Sequence, residues 1–515
     1  MSASLYRIPL FLLLFALATT HAQSGTAAIA CDPAAFIAAI TAANNNGVID
    51  TITLSPACVY LFTEAHEITN DDDNPAGNAL PSIRNDAPDL DLTIVGNGAT
   101  LRRAPNAPDF RLLRVDTQAE LVLRDLTIEN GRASQGGAIA MKYRAAGLTV
   151  AGVTFRGNTA TATNAEYGGG AIFAHESTLI VHNSTFIDNQ AAARPASATS
   201  TGGAIRNLLS DLTVTGSTFS GNRASFGGAI YIDGGLLDRT GQPLGTALRV
   251  TDSTLRANTA FGDGGAIYRC LYGATQPLII ERSLIQANQA GAGAQGGGVV
   301  ANCTGVLTMN QSTIAGNRTG SGGGGLVVDN VAATITNSTI AGNTATDPGS
   351  YGGGVWSYEG SVTLVNSTVA SNSAVYGAGL AGSSGSTGSM RNTIFNNTAT
   401  NPYNTRWNCM APLLQDAGGN MEYPGTPNNE FDRDCTSAMR HSDPTLLPLA
   451  DNGGPMLTMA LQSDSPAINA GSDCPATDQR DFPRVGACDL GAYEFGAPAP
   501  NPALTEHVYL PLLQR

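Results

Sequence analysis

The sequence predicts an all-β solenoid built from stacked parallel coils, and two recurrent phrases with a steady period carry that prediction. The first phrase is an apolar residue followed two or three positions later by Asn. It places Asn130, Asn158, Asn189, Asn222, Asn258, Asn288, Asn317, Asn343, Asn372 and Asn397 at equivalent sites. Between its copies stands Gly-Gly-Ala-Ile, at Gly136 to Ile139, Gly169 to Ile172, Gly202 to Ile205, Gly227 to Ile230 and Gly264 to Ile267. Looser forms follow at Gly297 to Val300, Gly324 to Leu326, Gly353 to Val355 and Gly377 to Leu380. A period of roughly 25 to 37 residues, repeated about ten times, marks units that bury their apolar faces only by stacking on neighbours. The expected organisation is one rod with ends: residues 1–22 a leader, 23–119 an N-terminal cap and first coils, 120–400 the repeated coils, 401–495 a C-terminal cap, and 496–515 a linker and tail.

Taken in order, Met1 to Ala22 combines Arg7, an apolar run from Ile8 to Leu17 and the small Ala22, which reads as a secretory signal peptide. That run is too short to span a bilayer, and no later segment reads as a span. Cys31-Asp-Pro-Ala-Ala-Phe then opens a capping helix, with Asp32 as N-cap, Pro33 in the first turn and Gly47 as the stop. Phe36, Ile37 and Ile40 would face a first coil whose strands include Ile52 to Leu54 and Tyr60 to Phe62.

One repeat explains the rest. In Leu212-Thr-Val-Thr-Gly-Ser-Thr-Phe219, Leu212 and Val214 alternate with threonines, the period of a strand with one buried face. Phe219 is out of phase, so Gly216-Ser217 must turn the chain. Asn222 sits at the next corner, where an amide can bond to backbone or to its equivalent one coil away. The ten asparagines therefore read as an internal ladder rather than a ligand-binding row. Asn-Ser-Thr at 183–185, 337–339 and 366–368 matches a glycosylation sequon but recurs because the coil recurs.

Eight cysteines without metal-binding spacing suit an exported chain: Cys31, Cys58, Cys270, Cys303, Cys409, Cys435, Cys474 and Cys488. Roughly a hundred connectivities are open to eight cysteines, and sequence order favours nearest-neighbour pairs. Aligning Gly264–Ile267 with Gly297–Val300 stacks Cys270 on Cys303, although the glycine run at 296–298 also permits a slip of one residue. After Asn397 the phrases stop, and turn-rich segments lead to Cys474 and Cys488, close enough to close a loop in a cap. The tail at 507–515 fits either a final strand or a sorting signal.

The phrases between about 120 and 400 resemble the repeats of chlamydial polymorphic membrane proteins, which implies a surface-exposed, adhesin-like β-helical passenger. Asp451-Asn-Gly-Gly-Pro455, Ser465-Pro-Ala-Ile-Asn-Ala-Gly471 and Asp478-Gln-Arg480 resemble, in this order, the choice-of-anchor Q domain of secreted bacterial right-handed β-helix proteins. Together these imply a right-handed, pectate-lyase-like parallel β-helix on a bacterial protein that is secreted or held at the cell surface. No membrane barrel follows the repeat, so self-translocation is not implied.

A net charge of −14 with a single lysine, Lys142, argues against nucleic-acid binding, which needs cations to displace counterions. Pectate-lyase-like and polygalacturonase-like enzymes share the expected rod, so fold leaves catalysis open. Lyases need an Arg or Lys base, often with Ca²⁺, and hydrolases need two convergent acids. Here Glu129, Glu166, Asp188, Asp211, Asp252, Asp263 and Glu281 are scattered singly. Arg156, Arg223, Arg256 and Arg318 read as solvated turn residues rather than a basic stripe, and His175-Glu176 with His182 as idle surface groups. Asp71, Asp72 and Asp73 form the densest acidic run and the sole candidate Ca²⁺ site, but without the spacing of a calcium loop they read as an exposed loop. Asp478, Arg480, Asp481, Arg484 and Asp489 read as pairing within the cap. The expectation is a monomeric, non-catalytic protein without cofactor that presents its inserts, Gln190 to Thr201, Asp233 to Leu248 and Thr344 to Ser350, to a polysaccharide or cell-surface protein. The alternative is an extracellular polysaccharide lyase or glycoside hydrolase.

Overall fold

A computed structural model of the chain describes residues 28–499 except 72–73, 85–90, 143–146, 165, 192–198, 239, 243, 245–246, 272–275, 398–407, 411–413 and 426–433. The leader expected at 1–22 and the tail at 507–515 lie outside the described residues. The chain winds into a right-handed parallel β-solenoid of about 10 turns. Its strands form a 25-stranded sheet, to which each coil gives two strands divided by a kink, and a 10-stranded sheet on another face. Short two-residue strands such as Thr159–Ala160 and Arg223–Ala224 close the coil. One apolar cluster runs the length of the rod from Phe36 to Cys435.

Both phrases have a steric explanation. The first glycine of each of the five Gly-Gly-Ala-Ile phrases takes positive φ, between 55° at Gly136 and 72° at Gly264, the left-handed region that a Cβ disfavours. The second has no room for a side chain, since a Cβ at Gly170 would meet the Gly203 carbonyl oxygen at 2.1 Å. At the kink, a residue of positive φ recurs as Asp125, Gly152, Asn183, Gly216, Asp252, Arg282, Gln311, Asn337, Asn366 and Asn392. Asn, Asp and Gly dominate that row because they tolerate left-handed backbone best.

Helix α1 (Pro33–Ala43) caps the first coil, with the Asp32 carboxylate accepting from the amides of Ala34 and Ala35. Phe36 and Ile40 are fully buried, Ile37 packs beside them, and Phe36 meets Tyr60 with ring centroids 5.4 Å apart. The helix ends four residues before the expected Gly47 stop. Asn44 serves as C-cap, and its side chain is occupied by the Ser82 carbonyl and the Arg84 amide. The first strands are Asp50–Thr53 and Val59–Phe62.

The four bridges are Cys31–Cys58, Cys270–Cys303, Cys409–Cys435 and Cys474–Cys488. The register at the second differs from the expected alignment. Ile267 pairs with Val299, so Cys270 lies beside Asn302 and Cys303 is one residue beyond. Cys303 takes φ 79°, which turns it back to bring the two Cα atoms within 5.1 Å. The glycine run had concealed this slip, because Gly296 and not Gly297 is the left-handed member of its phrase.

The coils continue past Asn397. Met421–Tyr423 pairs with Ile394–Asn396, and Arg440–His441 adds beside it. The segment 443–495, expected at the open end, folds back along the flank of the last coils. Gln311 donates to the Asp478 carbonyl, Asn337 to that of Thr477, Asn366 to that of Asp489 and Asn392 to that of Ser472. The Thr313 hydroxyl donates to the Leu457 carbonyl at 2.7 Å, the Thr339 hydroxyl to Gln479 Oε1 at 2.6 Å, and the Thr368 hydroxyl accepts from the Ala492 amide at 3.0 Å. The sequence marks where this strap lies. One outward column reads Glu129, Arg156, Ile187, Ser220, Arg256 and Gln286 on the open coils, then Ala315, Ala341 and Ala370 beneath the strap. Met459 packs on the last two alanines.

Candidate interaction site

The repeated asparagines are interior groups. From Asn158 to Asn372, each backbone amide and side-chain Nδ2 donates to Oδ1 of the Asn in the next coil. Each Nδ2 also donates to a carbonyl of the preceding coil, as Asn222 does to Phe186 at 3.0 Å. These side chains are buried, so no face of the ladder meets solvent.

Two members differ from expectation. Asn130 is not a rung: it takes φ 60° at the corner that Gly157 occupies one coil on, and Gly131 stands at the ladder site, donating its amide to Asn158 Oδ1. At the far end Asn408 is an additional rung, accepting from both Asn397 donors. No apolar-x-x-Asn phrase surrounds Asn408, so the repeat pattern gave no signal for it. A second ladder, of serines, also went unread. Ser184, Ser217, Ser253, Ser283 and Ser312 each donate a backbone amide to the hydroxyl of the next, ending on Ser338. Its signal is the Ser that follows the kink residue in each of these coils, after Asn183, Gly216, Asp252, Arg282, Gln311 and Asn337, and that precedes Thr in all of them except at Ser283. Asn337 and Asn366 of the sequons are buried beneath the strap, while Asn183 is exposed.

Most acids of the coils are tied to an arginine or a backbone amide, and Glu166 is exposed. Asp252 receives Arg282 in a two-pronged contact at 2.7 and 3.0 Å, and Glu281 meets the same guanidinium at 2.9 Å. Glu129 pairs with Arg102. Asp211 accepts from the Leu236 amide and Asp263 from that of Gln295, and burial pushes both carboxyls up. Asp188 fills an exposed left-handed corner. Arg156 and Arg256 share one column three coils apart, whereas Arg223 and Arg318 belong to another, so they form no stripe. His175 and His182 lie on different strands, and His182 stands between Ala151 and Thr215, its imidazole pushed down by burial. Asp71 ends one strand of a hairpin with Asn74–Asn78, but Asp72 and Asp73 lie outside the described residues. Among the described residues no three His, Cys, Asp or Glu side chains gather as metal ligands would. Asp478 receives Arg480 at 2.6 Å and Glu494 receives Arg484 at 3.0 Å, both pairs lying within the strap.

The insert Asp233 to Leu248 has the geometry of a presented loop. Its amides close a tight turn, Asp238 bonding Gln242 and Leu244 bonding Leu236, and the Asp238 carboxylate accepts from the Thr240 hydroxyl and from the Thr240 and Gln242 amides. Those bonds, the Thr240 hydroxyl first, hold that carboxyl below its usual range. Gln276 anchors the loop from the next coil by donating to the Leu236 carbonyl. Leu237 and Leu244 are exposed, at 39% and 59%, and what sets them apart from exposed aliphatics elsewhere, such as Ile49 and Ile68, is that the two stand together at one cleft. Together with Glu176, Leu209, Gly235, Leu236 and Asp238 they border a cleft of about 560 Å³. The insert Thr344 to Ser350 is instead folded down, Asp347 accepting from the Gly293 amide two coils away. Residues 192–198 of the first insert lie outside the described residues. The outer face of the 10-stranded sheet also carries half-buried rings, Tyr231 stacked on Tyr268 at 4.9 Å, and Tyr351 lies between Tyr376 and the Trp356 of that sheet at its edge.

Residues 152–175 and 216–233 match the Chlamydia polymorphic membrane protein (Chlamydia_PMP) repeat. Each match runs from the kink glycine to the end of a strand of the 10-stranded sheet and so covers three of the four strands of one coil. No curated protein matches the chain. Among solved structures, the A-module of the Azotobacter vinelandii mannuronan C-5 epimerase AlgE6 aligns at 13% identity and TM-score 0.36, covering 80% of this chain and 90% of that one. The A-module of the epimerase AlgE4 from the same organism aligns at 13% and 0.33, covering 80% and 92%. No helix among the described residues is long and apolar enough to cross a membrane.

Proposed function

We propose that this chain is an exported bacterial β-helix protein, secreted or held at the cell surface, that binds a polysaccharide or cell-surface protein partner without catalysing a reaction. The observation that carries the reading is the insert at 233–248, where exposed Leu237 and Leu244 stand over a cleft while Asp211, Asp252, Asp263 and Glu281 are bonded to arginines or backbone amides. Similarity to the polymorphic membrane protein repeat and the disulfide complement favour an oxidising, extracytoplasmic setting. On this reading residues 1–22 direct export, and the segment at 443–495, which resembles a choice-of-anchor Q domain, keeps the protein associated with its surface.

The test is incubation of the purified protein with a panel of uronate-containing and neutral polysaccharides, with and without Ca²⁺, assayed for co-sedimentation and for soluble products. Binding without new reducing ends or unsaturated products is the expected result. Turnover abolished by replacing one coil acid or arginine would establish the lyase or hydrolase alternative.

A further inference from the structure

The strap at 443–495 meets the coils through features that recur at coil spacing: the amides of Gln311, Asn337, Asn366 and Asn392, the hydroxyls of Thr313, Thr339 and Thr368, and the alanine column. Its apolar contribution is small, two minor clusters around Leu461, Ala467 and Leu490 and around Met459, separate from the main core. An element held mainly by directional bonds depends on the rigidity of its own backbone, since ordering a free loop costs entropy at every residue. That rigidity is supplied by Cys474–Cys488, which closes a loop with a sequence separation of 14. The loop contains Thr477, Asp478, Gln479 and Arg484, which bond Asn337, Gln311 and Thr339 of the coils, and it is flanked directly by Ser472, Asp489 and Ala492, which bond Asn392, Asn366 and Thr368. The bridge is also part of the contact, for Asn366 and Asn392 both direct their Nδ2 at Cys474 Sγ, at 3.1 and 3.2 Å. Cys474 is partly exposed, and the loop residues Ser472, Asp473, Pro483 and Val485 are open to solvent. The buried Cys409–Cys435 bridge, by contrast, is 1% exposed at each cysteine.

We infer that the strap is a redox-gated latch: with Cys474–Cys488 formed it covers the flank from Gln311 to Asn392, and with the bridge reduced it lifts while the coils stay folded. The reductant is a dithiol. One of its thiolates attacks a sulfur of the bridge to give a mixed disulfide, and its second thiol then closes its own disulfide and releases the other cysteine. Two electrons and two protons pass to Cys474 and Cys488, leaving two thiols. Opening uncovers Ala315, Ala341, Ala370 and the threonine hydroxyls.

The experiment is hydrogen exchange on the full chain carrying Cys474→Ser and Cys488→Ser, with Cys31→Ser and Cys58→Ser as a control pair at the other end. The readout is the amides of Gly491 and Ala492, which bond the Asn392 carbonyl and the Thr368 hydroxyl, against coil amides such as Thr339, which bonds the Ser312 carbonyl. Losing the constraint of a loop this size should speed exchange at Gly491 and Ala492 by at least about tenfold, leave Thr339 unchanged, and not occur in the control pair. Dithiothreitol on the unmodified protein should reproduce it, and should fail to act on the serine variant. Unchanged exchange at Gly491 and Ala492 would overturn the latch. So would equal loss of protection at Thr339, because the bridge would then serve the global fold.

Discussion

At the residue scale the ladder is a chain of obligatory bonds, and its energetics follow from what each rung leaves behind. Asn258 Oδ1 accepts both the amide and Nδ2 of Asn222, and its Nδ2 donates to the Phe219 carbonyl at 3.1 Å. Asn258→Ala leaves the buried Asn222 amide without its acceptor, removes one of the two bonds of Asn222 Nδ2 and takes a donor from the Phe219 carbonyl, and the expected destabilisation in urea unfolding is about 2–4 kcal/mol. Asn130→Gly, at a corner where the next coil already has Gly157, should change stability by less than about 0.5 kcal/mol. The pair separates a rung from a corner, a distinction that the sequence blurred. Ile-Glu-Asn-Gly and Phe-Arg-Gly-Asn exchange corner and rung between adjacent positions, and both satisfy an Asn-after-apolar pattern. The Gly-Gly-Ala-Ile phrase fixes its own phase except at Gly296 to Gly298, where three glycines in a row leave the phase free. A second residue-scale expectation concerns Glu422, buried at the end of the ladder and bonded by Asn408 and by the Cys435 amide. Burial pushes its carboxyl up to about 7. The folded chain holds that proton more tightly than the unfolded one, so the stability it contributes is present at low pH and lost as pH rises through about 7. Chemical unfolding at pH 5 and at pH 8 should therefore show a larger loss in the wild type than in Glu422→Gln.

At the element scale the coil and the strap differ in how far the sequence reveals them. A coil repeats, so each strand is supported by its neighbours above and below, and alternation such as Leu212-Thr-Val214 suffices to place it. The strap occurs once, has little periodicity, and is positioned by single bonds to residues 80 to 167 positions earlier. The partner signal was present as the change from Arg256 and Gln286 to Ala315, Ala341 and Ala370, but it acquires meaning only once the coils are in register. Ala341→Arg restores the kind of side chain found on the open coils and removes room for Met459. Limited proteolysis should then cut within 443–495 at least about tenfold faster while the coils remain resistant. Equal resistance in variant and wild type would mean that the alanine column does not seat the strap.

For the whole molecule, the proposed function divides stability and recognition between different residues. The coils carry repeated, buried and mutually satisfied groups, so substitution there is costly and offers a ligand nothing. The inserts carry exposed leucines and self-contained turns, and the rod tolerates change in them. The sequence revealed this division through the contrast between regular phrases and irregular intervals. It could not reveal which insert stands out, because Thr344 to Ser350 looks as free as Asp233 to Leu248 until Asp347 is seen bonding Gly293. The most direct measurement compares binding to whichever partner the polysaccharide and surface-protein screens yield. The wild type is set against a chain in which residues 235–246 are replaced by a short turn, with melting temperature recorded in parallel. The account predicts binding weakened by at least about tenfold with melting unchanged to within a few degrees. Undiminished binding by the trimmed chain would place recognition elsewhere on the rod and contradict it.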